Sequence, residues 1–190
     1  MRHIPILLVT AALAACKPPV TDADMARGDA PVTKASGPSD PLPSPNVEGA
    51  IWAPSKTPQR ILYGKPGEVP LMALACLETP EQPPRLLITR FAPADAGAGA
   101  FLALIGNSHV ARVPVDAVKV NGTHIWQGSM ALDDPDIEVL TGRREIAATL
   151  PGAGRVVLNP GEGPVRLIED CRTRSAAQGS EKLSDLAELQ

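Results

Sequence analysis

The side chains best suited to hydrolytic chemistry lie in and after one short turn. The turn Gly106-Asn-Ser-His109 puts Ser108 next to a histidine, and Asp116 and His124 follow in the next two predicted strands. Serine, histidine and aspartate are the groups of a nucleophilic triad. However, the chain has no G-x-S-x-G turn, which in many hydrolases exposes the nucleophile. We therefore expect structural histidines and no catalytic residues, with a hydrolase as a less favoured function.

A dense acidic group is the second candidate for chemistry. Its four carboxylates, Asp133, Asp134, Asp136 and Glu138, lie within six residues. Carboxylate oxygens at this density suit Ca²⁺, which makes the group a weak candidate for a metal site. A proline interrupts the group and no glycine stands at its sixth position, unlike the EF-hand loop. We expect a solvated turn between strands, with no resident metal and no cofactor.

Two cysteines of the body, Cys76 and Cys171, are candidates for a disulfide bond. Neither belongs to a C-x-x-C motif and neither has a histidine close in sequence, so a redox or nucleophilic role is the weaker alternative. In an oxidising compartment pairing is the default. Strand alternation predicts that both side chains point inward, and the bridge would fix the last strand to the first third of the body. The chain-entropy model gives up to about 4.7 kcal/mol for such a loop.

Composition excludes several classes of partner. The 190 residues are 44% hydrophobic and 21% charged, with a net charge of −3 and only 3% aromatic residues. These proportions are typical of one globular domain. A pI near 5.6 and so few aromatic side chains argue against nucleic acid as a partner.

The first fifteen residues have the pattern of an export signal. Arg2 and His3 form a polar start, and an apolar run continues to Ala14. This run is too short to span a bilayer, and its pattern predicts a signal peptide over residues 1–15.

The end of this leader, Leu13-Ala14-Ala15-Cys16, resembles the lipobox of bacterial lipoproteins. The resemblance implies that Cys16 carries lipid, usually including palmitate, and becomes the mature N-terminus. It also implies attachment to the outer membrane on its periplasmic side, because Lys17 replaces the aspartate of the familiar inner-membrane retention signal. Two or more acyl chains would hold the protein on the membrane without measurable release. Ordinary cleavage after Ala14 is the alternative and would leave a soluble protein.

Proline and glycine divide the rest of the chain. Residues 16–49 hold seven prolines among small polar residues, which predicts a disordered, lipid-anchored linker. An N-terminal arm packed along the body is the alternative. Residues 50–172 form the predicted β domain, and residues 173–190 a polar tail with a short amphipathic helix starting at Ser180.

Short apolar runs between these breakers predict the fold class. We expect an all-β domain, a single antiparallel sandwich or small barrel of about eight to ten short strands, with a disordered N-terminal tether and a short C-terminal helix. Ile137–Leu140 and Val165–Cys171 are among the predicted strands. Asn121-Gly122 predicts a tight type I′ hairpin.

These features together favour a non-enzymatic lipoprotein of the cell envelope. The expected role is a structural or protein-interaction module, whose partners are the membrane, through the lipid, and another envelope protein. The alternative is a small β-barrel that binds an apolar ligand as a carrier or sensor, which requires an internal cavity.

Overall fold

A computed structural model describes residues 39–79 and 82–188. This part of the chain folds into nine antiparallel strands, a short 3₁₀ helix (Pro135–Leu140) and an α-helix, α1 (Glu162–Glu188). The strands are β1 (Ile51–Pro54), β2 (Arg60–Gly64), β3 (Met72–Thr79), β4 (Gln82–Arg90), β5 (Gly99–Gly106), β6 (His109–Val120), β7 (Thr123–Ala131), β8 (Ile146–Leu150) and β9 (Gly154–Leu158).

All nine strands belong to one sheet in the order β1-β2-β3-β4-β7-β6-β5-β8-β9. Most neighbours are consecutive hairpins, and only β4–β7 and β5–β8 pair across intervening strands. The sheet curls into a nearly closed barrel whose two edge strands are β1 and β9. The predicted all-β class, with its small barrel, is confirmed.

The β6–β7 hairpin turns at Asn121-Gly122 as predicted. Val120 pairs with Thr123 on either side of the turn. Both turn residues have positive φ, +48° for Asn121 and +87° for Gly122. A type I′ turn requires positive φ at both positions, and asparagine and glycine tolerate it best.

Strand parity decides which side chains fill the barrel. On β5, Leu102 and Leu104 are buried, while Phe101 and Ile105 are exposed. The same alternation on the other strands gives one continuous core. Its largest fully buried side chains are Tyr63, Met72, Leu74, Leu86, Ile88, Leu102, Leu104, Ile137, Leu150, Leu158, Ile168 and Val113.

Helix α1 begins earlier than predicted. It starts at Glu162, so the prediction of a strand over Val165–Cys171 is wrong. The buried positions Pro164, Leu167, Ile168 and Cys171 follow helical spacing and form one stripe. The helix contacts β1 to β4 and adds this stripe to the barrel core.

The segment Ile137–Leu140 is also not a strand. It belongs to the 3₁₀ helix, where Ile137, Val139 and Leu140 are buried. Asp134 caps this helix by accepting a hydrogen bond from the Asp136 amide, and Pro135 stands in its first turn. Proline fits there because the first turn has no use for its missing N–H.

The described part of the predicted linker, residues 39–49, is held against the barrel. Ser39 Oγ donates to Asp95 (2.6 Å), the Leu42 amide donates to the Gly152 carbonyl (2.8 Å), and the Arg155 amide donates to Ser44 Oγ (3.0 Å). We call residues 39–46 the strap. The remaining linker residues and the predicted signal peptide lie outside the described residues.

Candidate functional site

The seam between the barrel edges is closed by a side chain. The Tyr63 hydroxyl, from β2, donates to the Val157 carbonyl of β9 (2.9 Å) and accepts from the Asn159 amide (3.0 Å). The Asn159 side chain continues the seam by donating to the Ala50 carbonyl (2.9 Å). Burial is the main cause that raises the pKa of Tyr63, so the hydroxyl stays protonated and able to donate at neutral pH.

Arg90 ties the seam from inside the barrel. Its guanidinium donates to the Leu71 carbonyl (3.0 Å) and to the Ala153 carbonyl (3.1 Å), while Nε has no hydrogen-bond partner. Burial lowers the pKa of this side chain. All its partners are backbone carbonyls, which suits a structural role in joining β4 to the β8–β9 turn. Neither Tyr63 nor Arg90 was predicted from the sequence. For Arg90 the one available indication was a charged residue among apolar strand neighbours.

The two body cysteines are bonded. Cys76 on β3 and Cys171 on α1 have Cα atoms 5.8 Å apart, a normal separation for a disulfide. The bridge fixes the helix, not a strand, to the core face of β3. Around it Arg172 donates to the Leu132 carbonyl (3.0 Å) and Arg174 to Glu78 (3.0 Å), so the same turn of the helix is held at several points.

Two carboxylates of the acidic group, Asp134 and Glu138, accept hydrogen bonds from nearby groups of the protein. Asp134 caps the 3₁₀ helix, and Glu138 accepts from the Thr141 hydroxyl (2.6 Å) and from Arg172 (3.2 Å). The Thr141 hydrogen bond is the main cause that lowers the pKa of Glu138, with Arg172 next. In residues 39–79 and 82–188, no group of three or more histidine, cysteine or acidic side chains is placed to hold a metal ion.

The structure does not bring the candidate triad together. His109 and Asp116 stand seven residues apart on the same strand, β6, which corresponds to about 23 Å. His124 pairs with Lys119 near the far end of that strand, still further from Ser108. Hydrogen-bond reach between nucleophile and base is about 3 Å.

An exposed apolar surface covers the outside of the barrel at β5. The outward positions of β9, β8, β5 and β6 form adjacent rows in the registers of these strands. They hold seven apolar side chains, two arginines and one threonine. We call this surface the β5 face; it consists of Phe101, Ala103, Ile105, Val110, Arg112, Pro114, Ala147, Thr149, Arg155 and Val157.

The β5 face exposes large apolar side chains to solvent. Phe101, Ile105 and Val110 are 60%, 50% and 47% accessible. Phe101 pairs with Pro114, and Ile105 pairs with Val110, so the exposed side chains are neighbours across strands. Clustered exposed apolar side chains of this kind mark interaction surfaces more often than isolated ones do.

A cleft of about 490 Å³ lies where the strap crosses the barrel end. Ser39, Gly99, Ala100 and Trp126 are among its lining residues. The strap is fixed there by Asp95, which accepts from both the amide and the hydroxyl of Ser39. The hydroxyl is the main cause that lowers the pKa of Asp95.

Comparison with known proteins gives no family for this chain. Protein-family models, curated proteins and solved structures yielded no match. The predicted lipid-bearing residue, Cys16, lies outside the described residues. Among the described residues, no helix has the length and hydropathy needed to cross a bilayer.

Proposed function

We propose that this protein is a non-enzymatic lipoprotein of the cell envelope, anchored through Cys16 to the periplasmic face of the outer membrane. Its barrel acts as a structural or protein-interaction module, and its partner is another envelope protein. The leader supports the anchor, because an apolar run, two small residues and a cysteine stand in the order that the lipobox requires.

The packed core of the barrel supports an interaction role. Inward-facing leucine, isoleucine and valine side chains from the strands pack with Leu167 and Ile168 of α1 in one cluster. A barrel that carries an apolar ligand needs a cavity in that position. The first candidate is therefore binding on the outer surface, and the carrier of an apolar ligand is the second.

Crosslinking in intact cells tests the proposal directly. The full chain is crosslinked in its native host, and proteins attached to residues 50–172 are identified by mass spectrometry. An unrelated domain carrying the same lipid anchor is the control. We expect a specific, saturable protein partner. Attachment no greater than in the control would contradict the interaction role and favour the carrier.

The Cys16→Ser variant supplies the matched control for the anchor. Without the thiol, no thioether to lipid can form, so we expect the variant to remain unprocessed or to enter the soluble periplasmic fraction. The mass of the N-terminal peptide of the native protein reports the lipid itself. Unchanged processing together with tight membrane fractionation of the variant would overturn the anchor.

A further inference from the structure

We propose that the β5 face docks onto an anionic phospholipid surface. This inference rests on the proposed function for the lipid anchor and adds a second membrane contact made by the folded body. It leaves the remaining outer surface of the barrel for the protein partner.

The charge of the β5 face supports a negatively charged, apolar occupant. Within the face the only charged residues are Arg112 and Arg155, both exposed. Two exposed carboxylates border the face: Asp116, in the row next to Phe101 and Pro114, and Glu145, two residues before Ala147. A bilayer that contains anionic lipid presents negative phosphates above hydrocarbon, which complements arginines flanking an apolar patch.

The side chains of the face suit the depth profile of a bilayer surface. Phe101 and Ile105 are expected to insert at the boundary between headgroups and acyl chains. Phenylalanine is among the apolar side chains that interfacial segments bury at that level, and arginine side chains extend along apolar surface while their guanidinium groups stay with the phosphates. Docking breaks no backbone hydrogen bond, because the face lies on strands that are already paired.

The described part of the strap begins beside this face. Ser39 lines the same cleft as Gly99 and Ala100, directly before Phe101. Residues 17–38 join Cys16 to Ser39, and even a fully extended chain of this length reaches no more than about 80 Å. An anchored body is therefore confined near the bilayer, and docking becomes an intramolecular step that a weak surface affinity suffices to drive.

Docking without the anchor is tested with a chain that starts at residue 16 and carries the substitution Cys16→Ser. Its binding to lipid vesicles is measured. The probes are vesicles of phosphatidylethanolamine with phosphatidylglycerol, and vesicles of phosphatidylcholine alone. We expect sedimentation with the anionic vesicles only. Removing two basic contacts with Arg112→Gln and Arg155→Gln is expected to weaken binding about thirtyfold.

A second pair of substitutions distinguishes an effect of the β5 face from an effect of net charge. Lys56→Gln with Lys65→Gln removes two positive charges on the β1–β2 side of the barrel and is expected to change binding less than about threefold. Equal losses for the two pairs, or equal binding to both vesicle types, would overturn the proposal. Circular dichroism and thermal unfolding confirm that each outward-facing variant is folded.

Fluorescence quenching locates the contact. Phe101→Trp introduces a fluorophore on the face, and Val69→Trp introduces one at the exposed β2–β3 loop. With the lipidated chain in vesicles containing brominated acyl chains, we expect quenching at position 101 beyond that at position 69. Vesicle-bound protein without this difference would refute docking while leaving the anchor intact. If the Cys16→Ser chain docks on vesicles and the native protein carries no lipid on Cys16, the anchor alone is refuted. Crosslinks from position 101 to a protein in cells would assign the face to that protein.

Discussion

At the scale of single residues, one hydroxyl group bridges the seam between the barrel edges. The Tyr63 hydroxyl donates to the Val157 carbonyl of β9 and accepts from the amide of Asn159, which directly follows this strand. Backbone groups at a sheet edge otherwise pair with water or with another chain. Tyr63 therefore removes one carbonyl and one amide at this edge from those available for such pairing.

The Tyr63→Phe variant is expected to be less stable by about 1–3 kcal/mol, because it keeps the ring but leaves the Val157 carbonyl and the Asn159 amide without their partner. Urea denaturation of the two proteins measures the difference. Thr149→Val, which removes an exposed hydroxyl, should stay within about 0.5 kcal/mol. A similar loss in both variants would contradict the role of the seam.

Tyr63 also makes the stability of the folded protein depend on pH. Its pKa is higher in the folded protein than in the unfolded chain, so the contribution is complete below the unfolded pKa of about 10. It is lost as the pH rises through the folded pKa, because the unfolded chain gives up the proton first. The alkaline decline in stability should be shallower in Tyr63→Phe.

At the scale of elements, the disulfide holds α1 to the barrel. Breaking it with a reductant is expected to lower the free energy of unfolding by about 2–5 kcal/mol, since the bridge closes a long loop with a separation of 95 residues. Denaturation with and without reductant measures this, and Cys76→Ala with Cys171→Ser should reproduce the reduced value and no longer respond to reductant. Alkylation of both native cysteines in unfolded, unreduced protein would show that the bond is absent.

The sequence predicted elements defined by local rules and missed those defined by distant contacts. Asn121-Gly122 specifies its hairpin through backbone preferences alone. In contrast, Leu167 and Cys171 fit both a strand alternation and the helical stripe, and packing against β1 to β4 favours the helix. The pairing of Cys76 with Cys171 was predictable once Cys16 was set aside as the expected lipid-bearing residue, whereas the partners of Tyr63 lie 94 and 96 residues away and leave no local signal.

At the scale of the whole molecule, one sheet separates a hydrophobic core from an apolar outer face. Leu104→Ala is expected to cost about 2–5 kcal/mol, because it opens a cavity in the core. The adjacent Ile105→Ala is the matched control, since that side chain is half exposed and should cost less than about 1 kcal/mol. Thermal unfolding compares the two variants, and equal losses would contradict the strand parity that places the β5 face outside.

The strand order has a consequence for how the chain folds. Strands β1 to β4 form one run of consecutive hairpins and β5 to β7 another, and the two runs meet at β4–β7. Each run forms through contacts that are near in sequence, so loop closure within it is fast. The slow events are those that join distant parts: the β4–β7 pairing, the Tyr63 seam and the docking of α1. Until they occur, β4 and β7 are open edges, and this is the interval in which a chaperone would protect the chain from aggregation.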